Sequence, residues 1–142
     1  MGRNSLSAGL SAALLLAAAA LPARADMVTL DCSSPSWSNA WSPPKHDLYA
    51  IDYSAGTVRH YIIDDDTKLW FDKTSTANIA DSTIDWSEEV RYTSGNVITT
   101  FSLGRYTGTL TAKVYDPTMS PPNMTVSDPC HPWTPPQRQR QF

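Results

Sequence analysis

Cysteine is scarce in this chain, and so are the patterns that announce catalysis. Two cysteines, Cys32 and Cys130, and three histidines, His46, His60 and His131, occur in 142 residues. With no third cysteine and no C-x-x-C spacing, a thiolate zinc site or a thioredoxin-type pair is the poorer reading of the thiols. No serine sits in a G-x-S-x-G elbow, so the α/β-hydrolase arrangement has no nucleophile. The glycines at 104 and 108 open no helix, which removes a phosphate-cradling loop. A basic stripe is missing too: the formal charge is −3, and a mildly acidic chain argues against nucleic acid as partner. Beyond residue 25 no apolar run approaches the ~18–20 residues of a membrane span.

What is present begins with an N-terminal segment unlike the rest. Arg3 supplies a positive start, an Ala/Leu run extends from Leu10 to Leu21, and Ala23-Arg24-Ala25 places small residues where a signal peptidase reads. The pattern predicts a signal peptide over 1–25 and a mature chain of residues 26–142, periplasmic or secreted. Removing Arg3 and Arg24 leaves 9 basic against 14 acidic side chains, a charge of −5. In an exported chain an even cysteine count reads as a disulfide, here Cys32–Cys130. A loop of that length should stabilise the fold by about 4–5 kcal/mol through the unfolded state.

Helix signals are nearly absent after residue 26. Short runs rich in Val, Ile, Thr, Tyr, Trp and Phe are divided by Gly, Asp, Ser and Asn. They predict strands over 28–31, 48–53, 58–63, 68–72, 83–92, 96–103, 108–115 and 124–127. Val97, Thr99, Phe101 and Leu103 share one face, the expected core side, as do Leu110, Ala112 and Val114. Ile84, Trp86, Val90 and Tyr92 also fall two apart, interrupted at Glu88, where a bulge or exposed edge is expected. The expectation is one all-β domain: a small antiparallel barrel or strongly bent sheet of seven to eight strands, closed by one disulfide. Two Pro/Trp-rich segments, 33–45 and 129–142, break the pattern, and the last residues, Gln137 to Phe142, are expected to fray.

One stretch recurs. Ile51-Asp52-Tyr53-Ser54-Ala55-Gly56-Thr57-Val58 aligns without a gap on Leu103-Gly104-Arg105-Tyr106-Thr107-Gly108-Thr109-Leu110. Hairpin loops explain the spacing, with Gly56 and Gly108 as structural turn glycines taking the positive φ that closes each loop. Asp52 would cap its loop by accepting backbone N–H groups, which Gly104 cannot do.

FSLGRYTGTLTAKV resembles the L-D-R-x-T/S-G-x-L segment of small exported proteobacterial proteins of unknown function, found in rhizobia-type bacteria in particular. The likeness extends to Leu30-Asp31-Cys32, to an "ID…AGTV" strand-turn-strand, to a late cysteine and to the closing Gln139-Arg140-Gln141-Phe142. Gly104 departs from the pattern, where that family has Asp. The resemblance implies export, but the family has no assigned catalytic residues to carry over.

Candidate chemistry is thin. Asp64-Asp65-Asp66 lacks the alternate spacing, turn glycine and distant Glu of a calcium loop, and reads as a solvated hairpin turn. Glu88 with Asp85 or Glu89 would be the carboxylates of a hydrolase acting on an envelope or extracellular polymer, but neighbouring strand residues point to opposite faces. His60 reads as an ordinary packed or edge histidine. Asn123-Met124-Thr125 matches a glycosylation sequon, expected to be inert. The disulfide draws Trp37, Trp41 and Trp133 toward one end, either as core plugs or as an aromatic surface for an envelope protein or glycan. The reading is therefore a non-enzymatic envelope binding or structural domain with no cofactor and no metal. The alternative is the carboxylate hydrolase.

Overall fold

Alternating inward and outward residues fold most of the described chain into strands. The computed structural model describes residues 27–135; the expected signal peptide and the Gln137–Phe142 tail lie outside the described residues. The first sheet has the order β10-β1-β2-β3-β4, from β1 (Met27–Asp31), β2 (Lys45–Asp52), β3 (Thr57–Asp64), β4 (Leu69–Thr76) and β10 (His131–Pro132). The second has the order β5-β6-β7-β8-β9, from β5 (Asn78–Ile79), β6 (Thr83–Tyr92), β7 (Gly95–Gly104), β8 (Thr109–Tyr115) and β9 (Asn123–Pro129). All neighbouring pairs are antiparallel. The all-β expectation and the Cys32–Cys130 disulfide stand. The two ladders stay separate, and the described residues form ten strands because two short ones, β5 and β10, follow β4 and β9 after a single residue.

The core lies between the sheets. Tyr49, Ile51 and Val58 of the first meet Ile84, Trp86, Phe101, Leu103 and Leu110 of the second. Phe101 stacks on Trp86 with centroids 5.0 Å apart and leans on Tyr49 at 5.8 Å. Truncating Phe101 to Ala would cost about 3–5 kcal/mol, because its neighbours cannot collapse into the space.

Both hairpin glycines behave as their spacing predicts: φ is +63° at Gly56 and +65° at Gly108. Asp52 accepts from the N–H groups of Ser54 (3.0 Å) and Ala55 (2.9 Å), the cap expected of it. At Gly104 a Cβ would run into the Thr107 hydroxyl, so that position needs its glycine for space.

The recurrence extends well past the turns. Ile51 faces Val58 and, 52 positions later, Leu103 faces Leu110; Tyr49 faces His60 as Phe101 faces Ala112. His60 faces Lys73 as Ala112 faces Val126, and Ile62 faces Phe71 as Val114 faces Met124. Each turn glycine also accepts from the residue at which a strand changes sheet: Ala77 N–H to the Gly56 carbonyl (2.9 Å), Cys130 N–H to the Gly108 carbonyl (2.8 Å). The halves β1–β5 and β6–β10 are thus one plan used twice, each sending a short last strand to the other's sheet.

One local expectation needs correcting. No bulge interrupts β6: its register on β7 is continuous from Thr83 to Tyr92, and Glu88 points inward and is buried. The irregularity falls instead between Ile62 and Ile63, opposite β4. Within segment 33–45, Pro35–Ser38 make one helical turn (α1), capped by Ser34 accepting from Trp37 N–H, and β2 begins at Lys45.

Candidate functional site

The polar centre of the molecule is His60. Strand alternation turns it inward from β3, between the sheets, where it is 9 % exposed. Its Nδ1 donates to Glu88 of β6 at 2.8 Å, and its Nε2 donates to Asp47 of β2 at 2.6 Å. Tyr49 stacks on the imidazole at 4.4 Å and donates its hydroxyl to Asp47 at 3.0 Å. Trp86 Nε1 donates to Glu88 at 3.2 Å. Among the described residues no buried side-chain nitrogen or oxygen is left without a partner. Burial alone would lower the His60 pKa, but hydrogen bonds to Asp47 and Glu88 and their charges outweigh it and raise it to about 9. Burial, then the Asp47 charge, pushes the Tyr49 hydroxyl up.

This geometry decides what the histidine does. Both ring nitrogens are held by carboxylates and the ring keeps its proton at neutral pH, so it has no vacant nitrogen with which to act as general base. It ties the sheets together as a cation between two anions. Of the two expectations the packed histidine holds and the edge histidine does not, since β3 is an interior strand; what the sequence did not show is that the packed ring is charged and clamped by two carboxylates. Asp85 and Glu88 do not assemble. Glu88 faces inward with Trp86, while Asp85 has the opposite parity and accepts from the Thr83 hydroxyl at 2.8 Å.

The Asp64–Asp66 turn is only partly the solvated loop expected of it. Asp64 is enclosed and accepts from Asp66 N–H, Lys68 N–H and Trp70 Nε1 at 2.9–3.0 Å, which holds its carboxyl below the usual range. Asp65 pairs with His46 Nε2 at 2.7 Å, and His46 Nδ1 lies 3.1 Å from Asp31. Desolvation opposes these partners, yet the His46 pKa is still raised. Among the described residues no group of three His, Cys, Asp or Glu side chains is placed to hold a metal ion.

The tryptophans divide. Trp37 and Trp41 form an edge-on pair with centroids 6.4 Å apart. Trp133 lines a separate cavity with His46, Ile63 and Asp65. None of the three is buried; the tryptophan that fills the core is Trp86. Sequence reasoning missed Trp70, which lies in β4 and is 50 % exposed. The buried Lys45 ammonium sits between two indoles, 3.5 Å from the Trp41 centroid and 3.8 Å from that of Trp70. The signal was there: Lys45 has the inward parity of Asp47 and Tyr49, and an inward lysine requires a partner that tolerates its charge.

Among the described residues no helix is long and apolar enough to cross a membrane. No protein family, curated protein or solved structure matches the chain.

Proposed function

We propose that this chain is an exported, non-enzymatic binding domain that docks another protein of the cell envelope, in the periplasm or outside the cell. The observation that carries this reading is the fixed, solvent-facing indole pair of Trp41 and Trp70, 45 % and 50 % exposed around Lys45. Large aromatic groups already held in place lose little rotamer freedom on docking, which suits them to anchor a partner. Trp70 is held by Asp64 as well as Lys45. A protein suits this face better than a glycan, because the ammonium occupies the space between indoles where a sugar ring would stack. The disulfide, the signal-like leader and the resemblance to exported proteobacterial proteins support export. A small flattened barrel, its bends at Ala77 and Cys130, is the fold-level description that fits the doubled plan.

The test is capture from envelope extract of the source organism by mature protein and by a Trp41→Ala/Trp70→Ala variant with unchanged circular dichroism. A defined protein retained by the first and lost by the second supports the reading. Equal capture by both, or a retained glycan in place of a protein, sinks it.

A further inference from the structure

The two halves share a register, so the two seams between the sheets can be compared position by position. At the first seam His60 reaches across to Glu88, and Lys73 of β4 donates to the Glu89 carbonyl. At the second seam the place of His60 is taken by Ala112, that of Lys73 by Val126, that of Phe71 by Met124 and that of Asp47 by Thr99. The place of Glu88 falls to Cys32, which is committed to the disulfide. Apart from the Cys32–Cys130 bond at one end, nothing in this set spans the gap. The first seam is tied shut, and the second stands open as a cleft of ≈ 450 Å³ between β9 and the Cys32–Trp37 segment.

That volume lies within the range of small-ligand sites, roughly 300–1,000 Å³. Its walls are apolar, and Met124 and Val126 present 44 % and 38 % of their surfaces to solvent. Its charged groups are Asp47, Asp128 and His60, beside the hydroxyls of Ser33, Ser34 and Thr99. Asp47 is shared between His60 and Tyr49, whereas Asp128 has no cationic partner among the described residues. With Glu88 behind, three carboxylates stand against one imidazolium, so the cleft carries surplus negative charge at its polar end.

We propose that the open seam is a binding cleft for a small amphipathic cation. Its apolar body lies on Met124, Val126 and Trp37, and its ammonium pairs with Asp128. This site meets the Trp41–Trp70 face only through the Trp37–Trp41 contact and stands whether or not that face captures a protein.

The probes are phenylbutylammonium, phenylbutanol and phenylbutyrate, which share a body and differ in head-group charge. Binding to the mature protein is followed by calorimetry and by methyl NMR shifts of Met124, Val126 and Ala112. The ammonium should bind at least tenfold more tightly than the carboxylate, with the alcohol between, and should shift those methyls. Asp128→Asn should erase most of the preference for the cation while the alcohol's affinity is kept. Ala112→Leu, which fills the cleft, should weaken the ammonium and the alcohol alike, and Trp70→Ala should change neither. Three results would overturn the proposal: no ammonium binding at millimolar concentration, equal binding of ammonium and carboxylate, or an unaltered preference in Asp128→Asn. The asparagine variant lies at a half-exposed site, so the test does not depend on the core variant folding.

Discussion

Titrating His60 out of its clamp should weaken the fold on the alkaline side of neutrality. In the unfolded chain an imidazole loses its proton near pH 6.5, and in the folded protein His60 holds it to about 9. Between those values the native state binds a proton that the unfolded state has released, so stability must fall as pH rises. The full contribution is present below about pH 6.5 and is gone above about pH 9. A gap of this width is worth about 3 kcal/mol at ~1.4 kcal/mol per unit. For a domain of this size that corresponds to a fall in Tm of roughly 10–15 °C between pH 6.5 and 9.5. His46, also raised, acts in the same direction. Below that range Asp52, Asp64, Asp72 and Asp116, all held low by hydrogen bonds, keep their stabilisation until they protonate, so the optimum lies between the two limits. The assay is calorimetry across pH together with imidazole NMR of His60. Glu88→Gln removes one anion, should cost about 3–5 kcal/mol at pH 6.5, and should flatten the alkaline slope. A Tm that stays level from pH 6.5 to 9.5, or a Glu88→Gln protein that keeps the parent slope, would refute the reasoning.

Other perturbations reach other parts of the fold. Replacing both Cys32 and Cys130 by Ser opens a loop of sequence separation 98 and should lower unfolding free energy in urea by about 4–5 kcal/mol. Gly56→Ala and Gly108→Ala should each cost about 1–2 kcal/mol, because both glycines sit at positive φ, and similar losses in the two are expected from turns of one design. Lys45→Met removes the cation held between Trp41 and Trp70 and should destabilise by about 1–2 kcal/mol, with a change in tryptophan emission; Lys45→Arg should retain most of that stability.

Period-2 patterning made most of the strands legible, because Val97, Thr99, Phe101 and Leu103 can all be satisfied only by facing a core. The turn glycines were legible for a similar reason: their spacing has one inexpensive backbone solution. The charged interior was not. Lys45, Asp47, His60 and Glu88 each break an apolar alternation when read singly, and their mutual satisfaction depends on which strands become neighbours across the two sheets. Glu88 therefore reads as an edge and His60 as an isolated residue. Trp37, Trp41 and Trp133 were legible as a group near the disulfide, but the chain direction after Cys130 carries Trp133 along β1, to a different cavity from that of Trp37. The recurrence of eight residues was visible in sequence. That it extends through two whole halves shows only in the strand pairing, where substitutions such as His60 by Ala112 conceal the kinship.

The disulfide also sets the route by which force would pass through the molecule. Cys32 follows β1 directly, and Cys130 immediately precedes β10, so strands β2 to β9 all lie inside the covalent loop. Tension applied between residues 27 and 135 runs along β1, crosses the sulfurs and leaves along β10. The eight enclosed strands cannot be drawn out between the two pulling points unless the bond is reduced, although β2 holds β1 through its ladder. A domain wired in this way can be pulled from both ends without its enclosed strands being drawn out in line.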